Sequence, residues 1–354
     1  MDGRALITGA NGFIGSHLVE LLQDRGDAPL AMVRKTSSTH HLDGRTVDYR
    51  HAGLMDVDAM AAAMDGVEVV YHLAGLTMGR AMSEYARVNG TGTANVMAAA
   101  KRAGVRRVVY VSSLAAAGPS HPEVPRAEHH TPTPLSVYGR SKHLGEVEAW
   151  RAAQDGTLEV VVARPPAVYG PRDTNFLKVI RMARRGLVVE LGFKRAWFSA
   201  IHSHDLVRGI VLAGERGRPI PTDSPGHALG GGGLAREDAS AAHESGDGVY
   251  FLTDGGRYTW AGMGKEAARL QGKRGFVVPL PVPLAFVVAA GAELVGKLTG
   301  RLPLVNRDKI REGSASGWWA SEQRARDELG YVPEMPLTAG LEDTIRWAVD
   351  RGML

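Results

Sequence analysis

The first half of the chain alternates short β-branched runs with longer Ala-rich segments. The strand-like runs are RALIT, APLAMV, TVDYRH, VEVVYHL, RRVVYVSS and LEVVVARP, and helix-like segments lie between them near 14–25, 56–64, 81–103 and 135–154. Most of the runs are apolar nearly throughout, as strands buried on both faces should be. The alternation therefore predicts an α/β fold built on a doubly wound parallel sheet with helices on both faces. After Pro165 the pattern loosens. Helix-like segments near 173–185 and 204–215, short strands in VYFLT and GFVVPL, and an amphipathic helix from about Leu337 to Asp350 predict a smaller C-terminal α/β lobe. The expected division is 1–166 for the sheet domain and 167–354 for mainly the second lobe, with some segments returning to the sheet. That lobe should lie over the carboxyl ends of the strands, where ligands bind in such folds. A polar stretch from 216 to 247, with GGGG at 230–233, reads as a flexible insertion.

One segment, PLPVPLAFVVAAGAELVG at 279–296, is strongly apolar. Pro281 and Pro283 interrupt it and Glu293 ends it, short of the ~20 residues a membrane span needs. It reads as a buried helix from about Pro283 to Leu298, with peripheral contact to a bilayer or a greasy substrate through 279–298 as the alternative.

Composition narrows the classes. The chain has 354 residues, 44% hydrophobic and 23% charged, ordinary values for a soluble globular protein. It has no cysteine, which excludes disulfides, a thiolate nucleophile and a Cys-ligated metal, and fits a reducing compartment. Lys+Arg at 42 nearly balance Asp+Glu at 38, and no basic run exceeds two residues, so no nucleic-acid partner is expected. Strand-like residues begin at Ala5 without a signal-peptide pattern, so a cytoplasmic location is expected.

The first strand and first helix are joined by LITGANGFIGSHL, which spaces Gly9, Gly12 and Gly15 three residues apart. Each glycine has a mechanical task. Gly9 permits a tight turn, Gly12 lets a pyrophosphate approach backbone N–H groups, and Gly15 allows close helix–strand packing. The loop is thus expected to bind a dinucleotide at the helix N-terminus, through Gly9, Asn11, Gly12, Phe13, Ile14 and Gly15. After the second strand stand Arg34 and Lys35, then Thr36, Ser37 and Ser38, where an NAD site usually has an acid. Cations and hydroxyls there suit a 2′-phosphate, which predicts a preference for NADP(H) over NAD(H).

Tyr138 and Lys142, in VYGRSKHLGE, are four residues apart and share one face of a helix. A free tyrosine titrates near ~10, so half-ionisation at neutral pH needs about 4 kcal/mol of differential stabilisation. Nearby positive charge, from the lysine and from an oxidised nicotinamide, is the expected source.

Taken with these motifs, the chain resembles the extended short-chain dehydrogenase/reductases, the NAD-dependent epimerase/dehydratase superfamily with its Rossmann fold. In pattern it is most similar to 3β-hydroxysteroid dehydrogenase and dihydroflavonol reductase-like members. GANGFIG resembles their glycine loop, and HLAG (72–75) the turn lining the cofactor, through Leu73, Ala74 and Gly75. NGTGTANV resembles the Asn-x-x-Gly-Thr helix and places Asn89 near the active site. YVSSLAAAGP resembles the fifth-strand motif, which makes Ser113 the catalytic serine and sets Val111 beside the cofactor. Tyr138 and Lys142 follow 25 and 29 residues after Ser113, at the family's spacing. ARPPAVYGP resembles the segment passing the nicotinamide, through Arg164, Pro165 and Val168, and FSAIHSHDL keeps His202 and Asp205 of a further family segment. The resemblance implies a catalytic set of Ser113, Tyr138, Lys142 and Asn89. Tyr138 would act as proton donor and acceptor, Ser113 would hold the substrate oxygen, and Lys142 would also bind ribose. It further implies a homodimer through the helices carrying Asn89 and Tyr138.

Departures from the family pattern bear on the substrate. Ala167 stands where sugar-nucleotide enzymes of the group have Asn, and Phe198 where they have Arg, although Arg195 lies close by. With Met78, Ser113 and Ala115 these residues form the expected substrate contacts, and they suit a flat or aliphatic ligand. Gly53 replaces an adenine-contacting Asp, leaving Leu54 to cover the ring. The expected activity is NADP(H)-dependent reduction of a carbonyl, or oxidation of a secondary alcohol, on a steroid-, polyketide- or aromatic-like molecule. The alternatives are an NAD-dependent nucleotide-sugar epimerase or dehydratase, and a non-catalytic NADP(H)-binding sensor or scaffold. His40–His41 and His129–His130 read as solvated loop residues, and no metal is expected.

Overall fold

The computed structural model describes residues 4–192, 196–222, 246–300, 305–315 and 317–354. Its strands are β1 (Arg4–Thr8), β2 (Leu30–Val33), β3 (Asp48–His51), β4 (Val67–His72), β5 (Arg107–Val111), β6 (Glu159–Arg164), β7 (Ala167–Tyr169), β8 (Leu187–Leu191), β9 (Trp197–Phe198), β10 (Ala200–His202), β11 (Val249–Phe251), β12 (Phe276–Leu280) and β13 (Gly317–Trp318). The helices are α1 (Phe13–Asp24), α2 (Val57–Ala63), α3 (Met82–Tyr85), α4 (Gly92–Arg102), α5 (Leu114–Ala117), α6 (Val137–Ala153), α7 (Phe176–Arg184), α8 (Ser203–Arg216), α9 (Trp260–Arg269), α10 (Val282–Thr299), α11 (Arg307–Gly313), α12 (Gln323–Leu329) and α13 (Leu337–Asp350).

Seven strands form one parallel sheet in the order β11-β6-β5-β4-β1-β2-β3. Leu6 of β1 pairs with Leu30 on one side and with Val70 on the other, so the apolar runs lie side by side. Helices cover both faces. On one, Leu18, Val19 and Leu22 of α1 join Ile210 and Val211 of α8; on the other, Met60 of α2 joins Val96 and Met97 of α4 and Ala149 of α6. The chain leaves β1 toward β3 and then crosses back to β4, and ligands bind at such a switch point.

The remaining strands form short parallel pairs, β7 with β10, β8 with β12 and β9 with β13. VYFLT becomes β11 and returns to the main sheet beside β6. Most of the stretch at 216–247, and Arg195, lie outside the described residues.

Two expectations are corrected. The single helix expected near 81–103 is broken by a π-helical turn over Ala86–Thr91, which gives the chain an extra residue per turn around Asn89. The helix expected to be buried at 283–298 is α10, but it buries only one side. Ala285 and Ala289 pack on Ile310 of α11, whereas Leu284, Val287, Val288, Leu294, Val295 and Leu298 are exposed. An apolar sequence sets the tendency to be covered, and among the described residues the apolar cover comes from α11 and the ends of one two-stranded ribbon. Among the described residues no helix is long and apolar enough to cross a membrane.

Candidate active site

The glycine loop is held by contact as much as by conformation. Gly9 has φ +69°, and a Cβ there would stand 2.9 Å from the backbone of Ala74. A Cβ on Gly15 would stand 2.2 Å from the carbonyl oxygen of Gly9. The turn therefore lies flush against the 73–75 segment, which Ala74 N–H fixes by donating to the Thr8 hydroxyl at 3.1 Å. Helix α1 begins with Gly12 as its cap and no side chain closing its N-terminus. Bare N–H groups above glycines are the donor set a diphosphate requires, so the loop fits a dinucleotide. Asn11 donates to the Ser38 carbonyl at 2.8 Å and ties the loop to the segment after Arg34 and Lys35, both exposed. Leu54 lies against Gly92, and the space beside Gly53 is open.

Ser113 ends the run of β5 and caps α5, its hydroxyl accepting from Ala115 N–H at 3.1 Å. Helix α6 carries Tyr138 and Lys142 and starts where Ser136 accepts from Gly139 N–H at 2.9 Å. A Cβ on Gly139 would meet the Ala115 carbonyl oxygen at 2.3 Å, so glycine there lets α6 approach α5 and sets Tyr138 beside Ser113. Helix α11 pins this helix start from across the chain. Asp308 accepts from Val137 N–H at 2.7 Å, and the Ser136 hydroxyl donates to Glu312.

The pair is tuned by its surroundings in a way spacing alone does not predict. Burial pushes the Tyr138 hydroxyl up to about 12, Ser113 pulls against this, and the Glu312 charge adds to it. Burial likewise pulls the Lys142 ammonium down to about 7, against the opposing charge of Glu146. Lys142 Nζ donates to the Val111 carbonyl at 2.8 Å and lies 4.5 Å over the Tyr110 ring. In the protein by itself burial thus keeps the Tyr138 hydroxyl protonated at neutral pH, not half-ionised.

Asn89 is buried and fully bonded. Its amide donates to the Leu76 carbonyl at 3.0 Å and to Ser141 Oγ at 2.8 Å, and its oxygen accepts from Leu76 N–H at 2.7 Å. Below it, His72 bridges Thr8 and Thr93, and burial lowers its pKa to about 3. Glu146 meets Arg164 in a two-armed ion pair at 2.8 and 2.7 Å and accepts from Ser112 Oγ at 2.6 Å. Pro165, buried after Arg164, accepts from Leu114 N–H at 2.8 Å.

A cavity of about 360 Å³ opens over Ser113 and Tyr138. Leu114, Ala115, Pro166, Ala167, Phe198, Trp260 and Trp318 supply its apolar walls, and Lys309 and Glu312 its charged ones. Phe198 stacks on Trp260 with ring centroids 4.4 Å apart. A second cavity of about 240 Å³ shares Ala167 and Trp260 with the first and adds Val168, Phe176, Val179, Met263 and the acid Asp173. Ser113, Ala115, Tyr138, Ala167 and Phe198 therefore line one cavity. Met78 stands off the cavity wall, with its sulfur 3.8 Å from Lys309. His202 and Asp205 serve the scaffold, Asp205 accepting from Glu334 and Met335 N–H at 2.8–3.0 Å. Trp260, Lys309, Glu312 and Trp318 escape sequence reasoning because no local motif marks them; packing of the C-terminal lobe delivers them.

The sequence pattern described as the NAD dependent epimerase/dehydratase family matches residues 5–224. The chain is similar to the ceramide reductase of Caulobacter vibrioides, 29% identical over 352 residues, with 99% of this chain and 96% of that protein covered. It is also similar to a 4-hydroxy-2-methyl-3-oxo-4-farnesyl-3,4-dihydroquinoline-1-oxide ketoreductase of Stigmatella aurantiaca, at 28% identity over 99% of this chain and 97% of that one. Among solved structures, MoeE5 in complex with UDP-glucuronic acid and NAD superimposes with a TM-score of 0.71, 25% identity, and coverage of 99% of this chain and 100% of that one.

Proposed function

The chain belongs to the NAD dependent epimerase/dehydratase family, and we propose that within it the protein is an NADP(H)-dependent oxidoreductase for a carbonyl or secondary alcohol of a hydrophobic small molecule. The observation that carries this reading is the wall of the cavity above Tyr138. Ala167 and Phe198 stand where a diphosphate would need polar contacts, and the adjoining cavity contributes the acid Asp173 and no cation. On these walls an anionic sugar nucleotide would meet mostly apolar carbon and the carboxylates of Glu312 and Asp173, with Lys309 as the one cation among the described lining residues; a steroid-, polyketide- or long-chain ketone needs only the apolar carbon.

The nicotinamide, when bound, supplies or accepts the hydride. Tyr138 gives its proton to the substrate oxygen in reduction and takes it back in oxidation. Ser113 holds that oxygen by hydrogen bond. Lys142, anchored on the Val111 carbonyl, turns its remaining donors to the cofactor ribose. Asn89 positions the 73–76 turn against α6 through its bonds to Leu76 and Ser141, and is better read as a positioning residue than as a catalytic one. The protein would act as a homodimer through the helices carrying Asn89 and Tyr138, in the cytoplasm.

NADPH consumption by the purified protein with aryl and long-chain ketones tests the reading. Interconversion of UDP-sugars with co-purified NAD and no net turnover would overturn it in favour of an epimerase. Arg34 and Lys35 form no ion pair among the described residues, which leaves both for a 2′-phosphate. Arg34→Asp is expected to lower kcat/KM for NADPH about tenfold to a hundredfold, the size of a lost charge-assisted hydrogen bond, while NADH gains. Unchanged selectivity would exclude Arg34 from the cofactor site.

Glu312 offers a finer test. Burial raises its own pKa, and its charge raises that of Tyr138. Glu312→Gln removes that negative charge, so Tyr138 ionises at lower pH. The alkaline limb of the reduction profile should move to lower pH; a shift upward or none would remove Glu312 from the electrostatics of the pair.

A further inference from the structure

The two-stranded ribbon of β8 and β12 has one face inward and one outward. Val188 packs on Gly264 of α9, whereas Leu187, Val189, Phe276 and Val278 are exposed. The register pairs Leu187 with Phe276 and Val189 with Val278, so all four share the outer face. At the end of this ribbon begins α10, whose exposed Leu284, Val287, Val288, Leu294, Val295 and Leu298 follow helical spacing along one stripe. The result is an apolar surface larger than scattered side chains would give.

The end of the ribbon away from α10 is basic. Arg184 and Arg185 precede β8, Lys273 and Arg274 precede β12, and Lys265 lies against Gly275; all five are exposed. None of the five forms an ion pair with a described carboxylate. Greasy residues edged by unpaired cations complement a surface that offers acyl chains beneath negative headgroups. Helix α10, of 18 residues, does not qualify as a span, so it would lie on such a surface and not cross it. Its other side packs on α11, which carries Lys309 and Glu312 of the cavity wall, so the surface is one helix away from the substrate pocket.

We propose that the outer face of the β8–β12 ribbon and the exposed stripe of α10 dock together on an anionic lipid bilayer. The inference stands apart from the reaction proposed above, because vesicle binding is read without turnover.

The test is co-sedimentation of the full-length protein with phosphatidylcholine vesicles, with and without phosphatidylglycerol, at low and physiological salt. Binding is expected with phosphatidylglycerol and should weaken as salt rises. Replacing Arg184, Arg185, Lys273 and Arg274 together by Gln should lower partitioning roughly a hundredfold or more. Val287→Glu with Val295→Glu, both at exposed positions, should abolish it without changing the melting temperature or cofactor binding. Binding that survives either set of changes overturns the proposal, as does protein that stays in the supernatant with phosphatidylglycerol at low salt. A second copy of the chain is the rival occupant. It would be revealed by a dimer in light scattering that Val287→Glu dissociates, with no vesicle binding.

Discussion

Tyr138→Phe is expected to lower turnover by about a hundredfold to ten-thousandfold, the range a positioned proton donor supplies. The substitution keeps the ring against α5 and removes one hydroxyl, so the variant should fold and bind NADPH as before. Its stability should stay within about 0.5 kcal/mol, as for changes that leave packing intact. The effect should be largest in the direction of reduction. With its pKa pushed up to about 12, Tyr138 is fully protonated at neutral pH and ready to donate. Oxidation needs the opposite form, and the positive charge of the oxidised cofactor and of Lys142 would have to draw the pKa down. Reduction should therefore hold its rate toward high pH, and oxidation should climb with pH. Single-turnover assays with saturating NADPH would check the first point. A variant retaining more than about a tenth of wild-type turnover would make Ser113 or water the donor and remove Tyr138 from that role.

How far the sequence foretells this site depends on how local each part is. The glycine loop was legible because Gly9, Gly12 and Gly15 act within one turn, each against backbone only a few residues or one strand away. The sheet was legible because its strands are apolar on both faces and separated by helices of ordinary length. Ser113, Tyr138 and Lys142 follow from the ends of one strand and the start of one helix. The far wall of the cavity obeys no such rule. Lys309 and Glu312 reach the start of α6 from more than 160 positions away, through Asp308 and Glu312 bonding to Val137 and Ser136. Composition could say that 279–296 is apolar, but burial depends on what stands opposite, and for half of α10 nothing among the described residues does. The π turn at Asn89 was equally hidden, since one extra residue in a helix leaves the hydrophobic spacing almost unchanged.

Replacing Glu146 by Leu should cost about 3–5 kcal/mol of stability, the penalty for leaving a buried cation without its partner. Glu146 and Arg164 are both fully buried and bonded through two arms, with Ser112 donating to the same carboxylate. This cluster joins the ends of β5 and β6 to α6, directly beneath Ser113, Pro165 and Lys142. Burial alone would raise the Glu146 pKa, but the Arg164 guanidinium overrides it and holds the carboxyl at about 2. The folded value lies below the unfolded one near 4.5, so the stabilisation is complete above that pH and is lost as pH falls toward 2. Urea unfolding across pH 2–6 should show this loss in the wild type and flatten in Glu146→Leu. Pairing Glu146→Leu with Arg164→Met should recover much of the cost, because two apolar groups leave no orphaned charge. If the double variant is as unstable as the single one, the ion pair is not the source of the penalty. The charge also bears on function. Glu146 opposes the burial that pulls Lys142 down to about 7, so its loss should lower Lys142 further. Less of the lysine would then be charged at neutral pH, and binding of the cofactor ribose should weaken in the double variant even where its stability is restored.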